Sequence, residues 1–424
     1  VSSPAATASA FNTRDGVLHC EDVPLPSVAA RFGTPTYVYS RRAILAAFAA
    51  YAQALVGRPA LVCYAVKANP SLAVLHLLAR AGAGFDIVSG GELARVLAIG
   101  ADPARIVFSG VGKSDAEIEQ ALRAGIGCFN LESVPELDAL ERVAARLGRR
   151  APVSVRTNPD VDPKTHPYIT TGLANNKFGV AYAATLDLYL RAQACPHIDI
   201  VGIDCHIGSQ ITEIGPYVDT AERILDLVDA LAARGIALAH IDFGGGLGIR
   251  YRDEEPPATG ALIAAILARV DARGHGGKTV MFEPGRSIVG RAGALLTRVG
   301  IVKTGATKNF AIVDAAMNDL MRPALYQAWM QVQEVAPHGA APAQYDVVGP
   351  VCESGDWLAR ERMLSIAAGD LLAILDAGAY GMSMASNYNT RGRPAEVMID
   401  GTQMFEIRRR ERVEELFTGE STLP

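Results

Sequence analysis

The sequence predicts an α/β fold: a (β/α)8 TIM-type barrel joined to a second, mostly β C-terminal domain. Three observations carry this expectation. From about residue 60 to 290, eight short apolar runs alternate with Ala/Leu-rich stretches of helical spacing. Beyond residue 290 the pattern changes to short strand-like pieces separated by turns. Within the first part, polar residues collect at the C-terminal ends of the apolar runs, where barrels carry their chemistry.

The predicted barrel strands are Leu61–Val66, Gly84–Val88, Arg105–Phe108, Gly127–Asn130, Pro152–Arg156, Ile198–Asp204, Ala239–Phe243 and Thr279–Phe282. Between them lie helical segments such as "SLAVLHLLARAG", "GGELARVLAIG", "SVPELDALERVAARLG" and "YVDTAERILDLVDALAARG". Each ends in glycine, as helix C-termini often do. A doubly wound open sheet is the alternative reading of the same alternation.

After residue 290, "ALLTRVGIVKT", "NFAIVDAAM", "YDVVGPVCES", "DLLAILDAG", "EVMIDG" and "MFEIRRRE" read as strands. Here "PALYQAWMQVQ" alone reads as a helix. The early segments "GVLHCEDVPL" and "PTYVYS" are also strand-like and are expected to join this second part. The expected division is a barrel over 41–290 and a β domain from 1–40 plus 291–424, the latter carrying Cys352 and Tyr380.

Composition narrows the function. Half of the 424 residues are hydrophobic and 20% are charged, as expected of a globular enzyme with a large core. The net charge of -5 and the lack of a basic stripe remove the main driver of nucleic-acid binding. No apolar run is long enough to span a bilayer. The opening "VSSPAATASAFNTRDG" lacks the basic and apolar regions of a secretory signal. None of the six cysteines forms a C-x-x-C pair, so a reducing cytoplasm without disulfides or structural zinc is expected. The histidines show no metal-ligand spacing, and no metal is expected.

The first strand raises a specific question, because the apolar run "LVCYAV" ends in Lys67. A buried ammonium is costly unless it is paired or covalently used. Lys67 is therefore either the solvated tip of a strand or a reactive amine. The other strands carry or end in Asp86, Ser109, Asn130, Arg156, His206 with Ser209, the run Gly244-Gly245-Gly246, and Glu283-Pro284-Gly285-Arg286. The glycine run can be a tight turn, or a place where backbone N–H groups approach an anion closely. His206 can be a structural histidine, or a flat ring against a flat cofactor. Glu283 can pair with Arg286, or face a ring nitrogen. A lysine, a phosphate cradle, a flat ring and an acid together suggest pyridoxal 5'-phosphate (PLP).

The motifs "YAVKAN", "HIGSQ", "DFGGGLG", "EPGR", "GPVCESGD" and "GAYG" occur in this order. Together they resemble the PLP-dependent decarboxylases of the alanine-racemase fold type, from about Gly33 to Glu406. The resemblance implies decarboxylation of meso-2,6-diaminopimelate to L-lysine and CO2. It implies that Lys67 holds PLP as a Schiff base and that His206 stacks on the pyridine. Ser209, Gly244, Gly245, Gly246, Pro284, Gly285 and Arg286 would surround the phosphate or its approach, and Tyr380 would touch the cofactor. Glu283 would bond the ring nitrogen. A carboxylate there favours the protonated ring, a stronger electron sink for decarboxylation than an arginine would support.

The same resemblance makes Cys352 the proton donor to the substrate carbon. The alternative is a buried apolar cysteine, although its neighbours Glu353, Ser354 and Asp356 are polar. Arg286, Arg322 and Tyr326 would bind the distal carboxylate of this amino-acid substrate, and Glu353 its distal ammonium. Guanidinium suits a carboxylate bidentately, and the spacing of Arg322 and Tyr326 fits one helical face. Otherwise Arg322 is a solvated surface charge. A homodimer with shared sites is implied, Cys352 and Glu353 reaching the site from the neighbouring subunit. Rival substrates on the same fold are ornithine, arginine or a carrier-bound amino acid. The long stretch "TNPDVDPKTHPYITTGLANNKFG" is expected to close over substrate as a lid.

Overall fold

A computed structural model describes residues 10–162, 176–337, 339 and 341–424. The chain divides into two compact units: Phe48–Ile249 with Glu255–Ser287, and Val1–Ala47 with Arg250–Glu254 and Ile288–Pro424.

The first unit is a closed barrel of eight parallel strands: Ala60–Ala65, Gly84–Ile87, Ile106–Phe108, Cys128–Leu131, Ala151–Asn158, Ile198–Asp204, His240–Asp242 and Thr279–Phe282. The eighth strand pairs back onto the first, Val280 opposite Ala60 and Phe282 opposite Val62. That closure excludes the open doubly wound sheet. Strands buried on both faces need apolar residues throughout, and Cys63, Phe85, Val107, Phe108, Cys128, Phe129, Val153, Ile203, Ile241 and Val280 supply them.

Local chemistry sets the helix limits. Ser114 and Glu117 form a reciprocal capping box ahead of Asp115–Ala124. Ser89 and Ser133 cap Gly90–Ala98 and Val134–Leu147 through their side chains. Gly125 and Gly148 end two helices in the left-handed conformation. Thirteen residues of the expected lid, 163–175, lie outside the described residues.

The second unit is mostly β. Its nine-stranded sheet includes the path Trp357–Leu364, Ala343–Val348, Asn309–Val313, Gly293–Lys303, Thr36–Ser40, Ala395–Asp400 and Gln403–Arg408. Thr36–Ser40 lies between strands from the far end of the chain, antiparallel to Gly293–Lys303 and parallel to Ala395–Asp400. The core gathers Leu18, Val28, Val38, Leu296, Ala373, Val397 and Ile399.

The helix expected over "PALYQAWMQVQ" is shorter than the sequence suggested. It spans Arg322–Tyr326, and Gln327 stops it at φ 52°. Val332–Glu334 then pairs antiparallel with Leu371–Ile374. A sheet partner distant in sequence overrides local helical spacing here.

Candidate active site

The first barrel strand does not carry Lys67 straight out. It runs into a 3-10 turn, Val66–Ala68, which brings Lys67 off the strand axis. Lys67 Nζ donates to Asp86 Oδ2 at 2.6 Å. The lysine side chain is 38% exposed and Asp86 is fully buried. The apolar strand therefore tolerates a terminal ammonium because the neighbouring strand supplies its counter-charge.

Strands three to five add a buried polar belt. Asn130 donates to Ser109, and Ser154 donates to Asn130. Arg156 Nη1 lies 3.1 Å from Glu132 Oε1, and its guanidinium stands 5.1 Å from the Phe178 ring centre. Glu132 also accepts the backbone N–H groups of Gly110 and Gly179. One carboxylate thus ties together three loops at the barrel mouth.

Strands six to eight build the remainder. The N–H of Gly245 donates to His206 Nδ1 at 3.2 Å, so that nitrogen carries no proton. Burial, with the charges of Arg156 and Lys67, holds His206 well below its ordinary pKa. It presents a neutral ring at physiological pH. Arg286 donates to Ser209 Oγ at 3.0 Å.

The glycines of "DFGGGLG" are required by close chain packing. A Cβ on Gly244, Gly245 or Gly246 would press into a backbone carbonyl oxygen, that of Cys205, Glu283 or Gly208 respectively. Gly244 and Gly246 also hold positive φ, 65° and 98°. The Gly244 N–H is fixed by Asp242 Oδ1 at 2.8 Å. A Cβ on Gly285 would press on the Cβ atoms of Ala65 and Ala68, on either side of Lys67, and Ala65 donates to the Pro284 carbonyl. Lys67, His206, Ser209, Gly244–Gly246 and Glu283–Arg286 thus share one end of the barrel.

Glu283 is 6% exposed. Its Oε1 has no hydrogen-bond partner among the described residues. Burial, then the charges of Asp242, Asp86 and Asp204, raises its pKa well above the ordinary carboxylate range. A buried acid with an open acceptor atom suits the ring nitrogen of a pyridine cofactor. The amine, neutral histidine, glycine loop and arginine suit its aldehyde, ring and phosphate. The residues present fit PLP.

The remaining expected residues belong to the second unit. Arg322 is 6% exposed, so it is not a solvated surface charge. Its Nη1 donates to Tyr251 Oη at 2.9 Å, with the guanidinium 4.7 Å from the same ring's centre. Tyr326 ends the same short helix. Cys352 is exposed rather than buried in apolar surroundings. Its N–H donates to Asn389 Oδ1 at 3.0 Å, while Glu353 Oε2 accepts from Tyr388 Oη at 3.1 Å. Asp356 anchors this segment by accepting from the backbone of Val351 and Met317. Tyr380 is half-buried with φ 56°.

Asp86 and Arg156 stood out in sequence only as polar strand residues. Glu132, Asp204, Asp242 and Tyr251 did not stand out at all, since their significance arises from partners distant in the chain.

A parallel barrel with a lysine, a glycine cradle and a buried acid at one end defines a PLP enzyme of the barrel class. The pyridoxal-binding domain of the pyridoxal-dependent decarboxylases matches residues 41–290. The diaminopimelate decarboxylase of Pseudomonas aeruginosa is 60% identical over 98% of this chain and 99% of its own. That of Neisseria meningitidis serogroup A is 57% identical over 95% and 98%. Among solved structures, diaminopimelate decarboxylase from Helicobacter pylori complexed with L-lysine superposes with TM-score 0.89 and 42% identity, covering 93% of this chain and 98% of that one. The chain belongs to the diaminopimelate decarboxylase family of PLP-dependent decarboxylases.

Proposed function

We propose that this protein decarboxylates meso-2,6-diaminopimelate to L-lysine and CO2 as the last step of lysine synthesis. Its full-length likeness to diaminopimelate decarboxylases carries the reading. When bound, PLP supplies an electron sink for the pair released as the bond to the carboxylate breaks.

The chain's own groups divide the remaining work. Lys67 Nζ would hold the cofactor; in the free enzyme Asp86 balances its ammonium charge. His206 offers a flat neutral face. Ser209, the Gly244–Gly246 backbone, Gly285 and Arg286 would hold the phosphate end. Glu283 would meet the ring nitrogen, and Tyr380 would border the cofactor.

Cys352 delivers the proton to the substrate carbon, since a thiol can act as an acid near neutral pH. Its exposure on the single chain supports delivery to a neighbouring subunit. We accordingly assign a homodimer in which Cys352 and Glu353 complete the neighbour's site. Arg322, Tyr326 and Arg286 hold the distal carboxylate and Glu353 the distal ammonium. Six free cysteines support a reducing cytoplasm.

The test is a product assay with PLP and meso-diaminopimelate, ornithine and arginine in parallel. Lysine and CO2 from diaminopimelate alone are expected. Release from ornithine or arginine instead would overturn the substrate and the role of Arg322. Light scattering in solution should give twice the monomer mass; a monomer that is fully active would remove the shared site.

A further inference from the structure

Three carboxyl groups meet at the ends of strands six, seven and eight. One oxygen from each of Asp204, Asp242 and Glu283 lies within 4.8 Å of the others. The residues are 1%, 1% and 6% exposed. Both oxygens of Asp204 and Oε1 of Glu283 have no hydrogen-bond partner among the described residues. Asp242 gives one oxygen to the Gly244 N–H and stands in hydrogen-bond contact with Glu283.

The facing charges do not neutralise this group. Arg156 acts on Asp204 and Asp242, but its ion-pair partner is Glu132. Lys67 acts on Glu283, but it is paired with Asp86, a further negative charge facing all three. The adjacent Cys63 and Cys205 thiols are raised by burial and stay uncharged, and His206 is neutral. Carboxylates this close cannot all ionise, and two carboxyls bond to each other only through a proton. Burial pushes Asp242 up to about 7 and Asp204 well above the ordinary carboxylate range, in line with a proton held within that pair. A hydrogen bond from Glu283 lowers Asp242, so before cofactor binds Glu283 carries a proton of its own.

We propose that Asp242, backed by Asp204, is a positioning residue that donates its proton in a hydrogen bond to Glu283 and so keeps Glu283 ionised toward the cofactor's ring nitrogen. The inference rests on the reading that Glu283 meets that nitrogen. The Asp pair retains its proton, and the proton of Glu283 passes to the ring. Without the Asp242 donor, Glu283 in its buried setting keeps its own proton and meets an uncharged ring.

The test uses holoenzyme reconstituted with PLP carrying a 15N label in the ring. The wild-type nitrogen resonance is expected in the protonated pyridine range. Asp242→Asn, which keeps a donor and the acceptor for Gly244, should leave it there. Asp242→Ala should move it toward neutral pyridine and lower kcat by at least about tenfold, one pKa unit's worth, with little change in KM. An unmoved resonance in Asp242→Ala overturns the proposal. Should that variant fail to fold, infrared spectra of wild-type and Asp242→Asn holoenzyme decide. The loss of one protonated-carboxyl band in the variant is expected, and its persistence overturns the proposal. Glu283→Gln separates the two levels: if it leaves the nitrogen unmoved, the underlying reading of Glu283 fails. A stoichiometric divalent cation in purified holoenzyme, held by the three carboxylates, would also overturn the shared proton.

Discussion

Lys67 Nζ and Asp86 Oδ2 stand 2.6 Å apart, a half-exposed ammonium on a fully buried carboxylate. The pairing ties the lysine nitrogen to Asp86, whereas condensation with an aldehyde needs that nitrogen released as a free amine. Asp86→Asn should therefore speed reconstitution of apoenzyme with PLP near neutral pH. Stopped-flow absorbance would record this. A rate equal to that of wild type would mean that Asp86 does not govern the amine.

Lys67→Ala should abolish turnover and the visible absorbance of lysine-bound cofactor. The phosphate-end contacts proposed for Ser209, Gly244–Gly246 and Arg286 would not involve Nζ, so PLP should still bind, with lower affinity. Titration followed by absorbance and by cofactor fluorescence separates the two effects. Retained lysine-type absorbance would place the covalent attachment on another residue.

Arg322 is held by Tyr251 through both a 2.9 Å hydrogen bond and the ring face. A charge-assisted bond to a carboxylate is worth about 1.5–3 kcal/mol. Arg322→Ala should thus lower kcat/KM for diaminopimelate by roughly tenfold to a few hundredfold, with PLP affinity unchanged. Tyr251→Phe keeps the stacked face and should cost much less. Equal kinetics in Arg322→Ala and wild type would reduce Arg322 to a structural cation.

Cys352→Ala should slow product formation while leaving cofactor binding intact. Its side chain is exposed on the chain, so truncation leaves no buried cavity to destabilise the fold. Cys352→Ser, a weaker acid of similar size, should fall between. Mixing Cys352→Ala with inactive Lys67→Ala gives a sharper check, since a shared site predicts recovery of some activity in heterodimers. No recovery on subunit exchange would keep Cys352 within its own subunit's chemistry.

The eight barrel strands were legible because each is mostly apolar and most are followed by a helical period. Candidate site motifs stood out where one residue type has a narrow use, as with Lys67 closing an apolar strand and the glycine run after strand seven. Asp204 and Asp242 were not legible as a group, because an acid at a strand end reads alike whether it meets solvent, a cation or another acid. Tyr251 was hidden for a related reason: its partner Arg322 is 71 positions away. "WMQVQ" misled in the opposite direction, since its spacing is helical but its sheet partner is Leu371–Ile374.

Gly202 and His240 lie opposite each other on strands six and seven, and a Cβ on Gly202 would collide with the imidazole. The residue is half-buried, and burial of its ring lowers its pKa from the ordinary 6.5 to about 4. The folded state therefore binds its proton less well than the unfolded chain does. The resulting stability is present above about pH 6.5 and is lost as pH falls through about 4, amounting to roughly 3 kcal/mol. Thermal unfolding midpoints of apoenzyme should fall more steeply between pH 7 and pH 4 in wild type than in His240→Gln, which cannot gain this charge. Carboxylates such as Glu411, held down to about 2, are common to both proteins and drop out of the difference. Parallel pH dependences would show that His240 can take its proton without leaving its place against Gly202.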